Sequence, residues 1–463
     1  MIRTYIMPVL FVSFSSGFHI QTALIHTSTI TTNPGCTRFR PRTAINAKPT
    51  RLEANEEGVL YVNDRVSNTF FPTILSLQNH CFQFSFILAM LTSSSAQCIN
   101  CAACSYFAPN TFTRSASSAH HIVYNQPTDP SSDDFQNARA ALAACPVSAI
   151  RATSPAEDHG RVKLTTEQVE ASRAYAINPE VNGLPLPFPK KLSDNIWMLG
   201  HHSNKSFGAI PYLVQGKHGD DGRVVSVMVD VPKFTKSAIR AVEELLEYSG
   251  EGPDYMFLTH VDDTAQHTEW SEYFPNMKRI FHAGDLGKHN WIGDETLNSV
   301  EILLHDKSNV EEMKLAVMSL DGSLHKEISC SSDNSDVVGI ISAVLQEWST
   351  EFLIFHTPGH SPGSISLFHK ANAGTIFTGD TYAYTTRNGG HMTGFPRYGN
   401  DLSIQRKTLE CIKNLSSQYS FVASGHGHPR NYSEIEKDNS VESSIEALKD
   451  SDIDDALLEL DSN

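Results

Sequence analysis

Between Lys191 and Arg430 the chain alternates short apolar runs with polar breaks. Runs such as "NIWML", "IPYLVQ", "VVSVMVD", "YMFLT", "RIFH", "FLIFH", "SISLFH", "TIFTGD" and "FVASGH" are short and rich in β-branched and aromatic residues, which predicts strands. Two other stretches, "TKSAIRAVEELLEYSG" and "LSIQRKTLECIKNL", place apolar residues every three or four positions, the period of an amphipathic helix. Strands alternating with helices predict layered α/β packing. The segment 290–349, with its "SCSSDNSD" tract, breaks the pattern and is expected to be a surface excursion.

Several strand runs end on a side chain that can bind a metal. His260 ends "LTH", His360 sits in "TPGHSPGS", Asp380 ends "TGD", His426 lies in "SGHGH", and Asp230 lies in "VMVDVP". A strand end holds a side chain firmly while letting it reach a cleft. Imidazole and carboxylate are ligands for zinc, iron or manganese. A lone histidine would be read as a core residue; this series predicts a metal site.

This constellation resembles the metallo-β-lactamase superfamily over residues 191–432, most specifically in "TPGHSPGS", "TGD" and "SGHG". The resemblance implies an αββα sandwich with metals along one edge. It implies that His260, His360 and His426 are ligands, that Asp380 bridges two metals, and that Asp230 supports the site from behind. His428 is then only a neighbour. The first motif departs from the superfamily pattern His-x-His-x-Asp-His. In "THVDDTAQH" an aspartate, Asp262, stands where the second histidine belongs, and Asp263, Gln266 and His267 follow. The expected arrangement is a first metal on His260, Asp262, His360 and Asp380 and a weaker second on Asp263, His267 and His426, with Asp380 and Asp263 as catalytic residues. Gln266 is not expected to ligate. Exchanging imidazole for carboxylate makes the site harder, which suits iron or manganese better than an all-imidazole site.

Two loops are expected beside the metals. In "GHHSNKSFGA", residues 200–209, His202, Ser203 and Lys205 are either substrate contacts or parts of a polar hairpin. The Gly-rich, aromatic stretch after Asp380 is expected to form a mobile cleft wall offering His391 and Arg397.

A second module precedes this one. "CINCAAC" supplies Cys98, Cys101 and Cys104, and Cys145 follows with Pro146 behind it. Two-residue spacings let one loop wrap three irons of a cube, and a distant Cys-Pro brings the fourth thiolate. A zinc knuckle would instead show two separated Cys pairs. The pattern resembles small single-cluster [4Fe–4S] ferredoxins, which implies a small α+β domain, here residues 53–152. Cys36, Cys81, Cys330 and Cys411 lack such spacing and are read as structural or incidental. In that family a strand runs just before the first cysteine, and "GVLYVNDR", 58–65, fits it. Residues 66–97 then intervene without one acid, Lys or Arg. Val-Ser at the start and Gln at the end fit GTAAGT and CAG codons, so 66–97 is expected to be a retained in-frame intron.

Composition adds limits. The net charge of −16 argues against a nucleic-acid partner, which would need a basic face. The first 52 residues hold no Asp or Glu, and an apolar run, "MPVLFVSF", is followed by a Ser/Thr-rich basic stretch. That predicts a presequence, signal plus transit, directing the chain to a plastid, with a single mitochondrial or plastid transit peptide as the alternative. The apolar run is too short to span a bilayer, and an integral membrane protein is not expected. Residues 153–190 read as a linker. Residues 433–463 read as an acidic tail, a solvated helix or disorder. The functional expectation is a metal-dependent hydrolase acting on an ester- or thioester-like bond of a small-molecule substrate. It would use one or two divalent metals, either zinc or else iron or manganese, and carry a [4Fe–4S] cluster. The rivals are an iron-dependent oxidoreductase fed by the cluster, with an electron-transfer partner, and a non-catalytic cluster-bearing scaffold.

Overall fold

The computed structural model describes residues 62–63, 90–94, 98–153 and 183–462, apart from short breaks at 117–119, 128, 130, 247–251, 306, 313, 330–333, 372, 387–389 and 439–444. The expected presequence, residues 154–182 of the expected linker 153–190 and most of 66–97 lie outside the described residues.

Two seven-stranded sheets dominate the C-terminal domain. The first runs in the order Ile302–Leu304, Lys278–His282, Tyr255–Phe257, Arg223–Val229, Tyr212–His218, Ile196–Met198, Lys190–Ser193. Its first four strands are parallel to one another and the remaining pairings are antiparallel. The second runs Leu324–Ser329, Lys314–Met318, Phe352–His356, Ile365–His369, Thr375–Gly379, Phe421–Ser424, Arg430–Asn431. The inner faces meet through Val214, Val227, Val229 and Phe257 against Phe352, Ile354, Leu367 and Phe377, all buried. Because both faces of each sheet are covered, the strands read as unbroken apolar runs.

Helices close the outer faces. Lys236–Leu245 and His267–Tyr273 cover the first sheet through Val242, Trp270 and Phe274 against Leu213, Met228 and Met256. Asn334–Glu347 and Leu402–Lys413 cover the second through Ile341, Leu409 and Ile412 against Leu353, Phe355 and Phe368. The result is an αββα sandwich, in line with the strand–helix alternation.

Three expectations are corrected here. Segment 290–349 is not an excursion: it supplies the edge strand Ile302–Leu304, the strands Lys314–Met318 and Leu324–Ser329 and the outer helix Asn334–Glu347. The acidic tail forms a helix, but one face of it is packed rather than solvated. Helix Ile445–Asp461 buries Ile453, Ala456, Leu457 and Leu460 against the second sheet's helix layer, because those residues recur at helical spacing behind the acids. The strand next to Cys98 is Met90–Ser94, inside the expected insert. It pairs antiparallel with Ile150–Thr153, while Val62–Asn63 pairs parallel on its other side.

The cysteine-bearing module completes itself with helix Ala103–Phe107, the ribbon Phe112–Arg114 with His121–Val123, and helix Asp133–Ala144. Ser132 caps that last helix by accepting from Phe135 N, with Asp133 and Asp134 in the first turn favoured by the helix dipole. Its alanines 138, 140, 141, 143 and 144 are buried, allowing close packing, and the helix stops at Cys145 before Pro146. The described residues belong to one compact unit, Pro49–Asn463.

Candidate metal centre and cluster pocket

His260 ends the run after strand Tyr255–Phe257 and is 1% exposed. Behind it, Asp230 accepts from Thr259 N at 3.0 Å and Thr259 Oγ1 at 2.8 Å. With its proton given to Asp230, Thr259 Oγ1 can only accept from His260 Nδ1, 3.0 Å away. That assigns the proton to Nδ1 and leaves Nε2 as a bare lone pair facing the cleft. Burial, then His360, pushes the His260 imidazole down to about 4, so it is neutral at pH 7.

Around this atom the other candidates gather. Asp262 Oδ2 lies 3.8 Å from His260 Nε2 and 3.8 Å from His360 Nε2. Asp380 Oδ2 lies 3.9 Å from His260 Nε2 and 3.7 Å from His360 Nε2. On the other side, His426 Nδ1 is 2.8 Å from Asp380 Oδ1 and 3.8 Å from Asp263 Oδ2. Two ligand groups result, His260–His360–Asp380 and Asp263–Asp380–His426, with Asp380 shared. Asp262 faces the first. Gly425 permits the close approach: a β-carbon there would stand 2.9 Å from Asp263 Oδ2 and 3.1 Å from Asp380 Oδ1.

Charge is unbalanced in this pocket. Burial pushes Asp263 well above the carboxylate range, against the opposing pull of His426. Burial acts on Asp380 too, but His426, His360 and His260 hold it low. His426 is driven up to about 10, the charges of Asp380 and Asp263 overcoming its burial. His260 Nε2, His360 Nε2 and both Asp263 oxygens are buried without a hydrogen-bond partner. Orphaned lone pairs converging from several strands are what a divalent ion would satisfy, so the residues present fit one or two metals.

Asp285, unmarked in the sequence, pins two of the metal loops. It is fully buried and accepts from Val261 N at 3.0 Å, Ser361 Oγ at 2.7 Å and Gly363 N at 2.6 Å. One carboxylate thus fastens the His260 loop to the His360 loop.

The structure does not bring His267 to the cleft. Its Nδ1 meets Arg279 Nη1 at 3.1 Å and its Nε2 lies 3.3 Å from Asp294 and 3.0 Å from Thr296. Gln266, at φ 65°, starts the helix His267–Tyr273 and turns the ring away from the metal ligands. His391 faces Glu459 of the C-terminal helix at 3.6 Å. Arg397 lies over Tyr398. The expected mobile wall is fastened: Asn400 N donates to His360 O and Asp401 N to Gly359 O, each at 2.9 Å.

In the N-terminal module, Cys98, Cys101, Cys104 and Cys145 line one pocket with Pro146, Ala149 and Ile150. Burial, then Cys145, pushes the Cys101 thiol up to about 12, and burial likewise raises Cys104 well above its usual range. Four thiolates in so apolar a pocket need a strongly cationic partner, which iron supplies. Ala149 N donates to Cys145 Sγ at 3.2 Å, a hydrogen bond of the kind that stabilises cluster sulfurs.

Residues 95–152 match the 4Fe-4S single cluster domain of ferredoxin I. The ferredoxin-type domain is therefore the N-terminal neighbour of the sandwich. No curated protein matches the chain. Among solved structures, the chain is similar to the metallo-β-lactamase FIM-1 from Pseudomonas aeruginosa in its mono-zinc form, at 11% identity and a TM-score of 0.32, covering 58% of this chain and 95% of that one. An archaeal metallo-β-lactamase superfamily protein from Sulfolobus tokodaii shares 14% identity at a TM-score of 0.26, over 55% of this chain and 93% of that one. A metallo-β-lactamase family protein from Thermus thermophilus shares 12% identity at a TM-score of 0.33, over 59% of this chain and 80% of that one. These overlaps are loose; the architecture rests on the two sheets themselves.

The ferredoxin-type domain reaches the metal loops through residues 200–209. Cys101 packs against Gly208. His202 Nδ1 bonds Gly208 O at 3.0 Å, leaving Nε2 buried and unpartnered, and its ring meets Phe107 edge-on. Ser206 Oγ accepts from Ala265 N at 3.2 Å, and Ile210 N donates to Gly425 O at 2.7 Å. The Tyr106 ring lies 4.9 Å from that of His428, two residues from His426. Of the expected loop contacts, His202 and Ser203 are buried and Lys205 is exposed.

Proposed function

We propose that the protein is a metal-dependent hydrolase acting on an ester- or thioester-like bond. The observation that carries this reading is the convergence of unpartnered lone pairs from His260, His360 and Asp263 on the shared carboxylate Asp380. A divalent ion held there would lower the pKa of bound water and supply hydroxide near neutral pH. Asp262, His260 and His360 would hold the first ion, Asp263 and His426 the second, and Asp380 both. With an ion bound, Asp263, buried and short of partners, would be held ionised and its second oxygen would take the proton of an attacking water. Fastening of the 395–401 turn to the His360 loop keeps that side of the cleft fixed.

The test is metal analysis of cluster-loaded protein with Asp262→Ala and Asp262→His. Asp262→Ala should empty the first position while leaving cluster and fold intact; Asp262→His should keep metal and shift preference toward zinc. Two zincs per chain support hydrolysis. Two irons beyond the cluster support the second reading, an oxidoreductase fed by the cluster, which the contact of Cys101 with Gly208 favours. A cleft that takes no metal leaves a scaffold. None of the described helices is long and apolar enough to cross a membrane. Plastid import is the further proposal, tested by fusing residues 1–52 to a fluorescent reporter.

A further inference from the structure

Trp291 lies outside every motif of the sequence, yet its indole Nε1 donates to Asp262 Oδ1 at 2.5 Å. We propose that Trp291 is a positioning residue for the metal centre: it occupies one oxygen of Asp262 so that only Oδ2 faces the ion, and His267 holds the loop that carries it. The inference rests on the reading that the cleft binds metal.

The geometry is specific. Asp262 Oδ2 stands 3.8 Å from both His260 Nε2 and His360 Nε2, whereas Oδ1 is taken by the indole. A free aspartate can offer both oxygens to one ion. An indole N–H is a donor only, so it neither ligates nor competes for the ion; it removes one oxygen and leaves a coordination position open. It also draws off part of the charge in a cleft that holds Asp262, Asp263 and Asp380. The Trp291 ring is otherwise 47% exposed, so burial does not explain where it sits. The tether to Asp262 does.

The loop carrying Trp291 is braced from behind. Asn290 Nδ2 donates to Asp294 O at 2.8 Å, and Asp294 N to Asn290 Oδ1 at 3.2 Å. Asp294 Oδ2 then meets His267 Nε2 at 3.3 Å. Arg279, always a donor, contacts His267 Nδ1, so Nδ1 accepts and the ring proton sits on Nε2, facing both Asp294 Oδ2 and, at 3.0 Å, Thr296 Oγ1, which in turn donates to Asp294 Oδ1 at 2.6 Å. Arg279 is itself fixed by Glu301 at 2.7 Å. A continuous series therefore runs from Arg279 through His267 and Asp294 to the Trp291 loop and Asp262. The histidine displaced from the motif acts on the metal site at two removes instead of ligating it.

The test uses the full cluster-loaded chain, stripped of cleft metal by a mild chelator and labelled with 5-fluorotryptophan. The protein has four tryptophans, and Trp291→Phe assigns its fluorine resonance by loss. Zinc ion alone is the probe. The expected result is that zinc shifts the Trp291 resonance but not that of Trp270, whose N–H donates to Pro232 O. Trp291→Phe should weaken zinc binding about tenfold at unchanged thermal stability, the loss of one hydrogen bond to a charged group. His267→Gln should weaken it less and move the Trp291 resonance in the metal-free protein. If zinc binds and the Trp291 resonance does not move, or Trp291→Phe binds zinc as tightly as the parent, the inference is overturned while the metal centre stands. If zinc does not bind the parent at all, both fall.

Discussion

Cys101 and Gly208 touch across the boundary between the two domains: a β-carbon at Gly208 would stand 3.0 Å from Cys101 Cβ and 3.3 Å from its Sγ. Gly208 also has φ +94°, where any other residue is strained by about 1–3 kcal/mol. Gly208→Val should therefore give protein with substoichiometric iron and sulfide, read by chemical analysis and loss of the brown absorbance. Cys101→Ser should abolish or convert the cluster outright. Full cluster content in Gly208→Val would mean that the loop yields and the contact is incidental.

Asp285→Ala should loosen the cleft without touching the cluster. It strands the buried N–H groups of Val261 and Gly363, at roughly 1–3 kcal/mol each. Lower melting temperature together with loss of cleft metal is expected, with iron–sulfide content unchanged. Retention of full metal affinity would show that the two loops are held by other contacts.

Several imidazoles are buried neutral, and this gives stability a pH dependence of definite sign. Burial pushes His202 and His356 down to about 3 and His369 and His428 down to about 4. Unfolded, each binds its proton near pH 6.5. Below that pH these histidines bind more protons in the unfolded chain, so their contribution to stability is complete above pH 6.5 and falls as pH drops toward 4. The slope is about 1.4 kcal/mol per pH unit for each such group. Because the raised Asp263 and His426 of the metal-free cleft slope the other way, the check is a difference: between pH 7.5 and 5 the parent should lose about 2 kcal/mol more than His369→Gln, and an equal loss would contradict the buried neutral state.

Deleting the chain after residue 444 should destabilise the sandwich. The deletion uncovers the site of Ile453, Leu457 and Leu460, removes Asp452 from Tyr432 and Arg430, and takes away Lys449, which donates to Ser416 O. On the order of 5 kcal/mol is at stake from the apolar contacts alone. Insoluble or molten protein is the expected outcome, followed by near-UV circular dichroism. A cooperative, equally stable truncated protein would refute the structural role.

The parts legible in the sequence are those written locally. The four cluster cysteines announce themselves by spacing, and His260, His360, Asp380 and His426 by the strand ends that carry them. Asp262 is legible because the motif marks its position. Trp291 and Asp285 are not, because their partners lie 24 to 78 residues away in sequence and nothing local marks them. His267 stands near the ligands in sequence but not in space; one residue at positive φ, Gln266, sends it elsewhere. The C-terminal helix reads as acidic, whereas its apolar stripe decides where it packs. In segment 290–349 the edge strand Ile302–Leu304 is three residues long, too short to give a clear period.

Loop 200–209 answers to two domains at once, and that has an evolutionary consequence. A substitution there must suit the cysteine loop on one side and the metal loops on the other, so neither domain can drift alone. Loss of the ferredoxin-type domain would also bare Phe188 and His202, now covered by Phe107. The fusion is thus easier to inherit whole than to undo. Among related chains, glycine at the position of Gly208 should travel with cysteine at the position of Cys101, and where a lineage has shed its cysteines that glycine should be free to change.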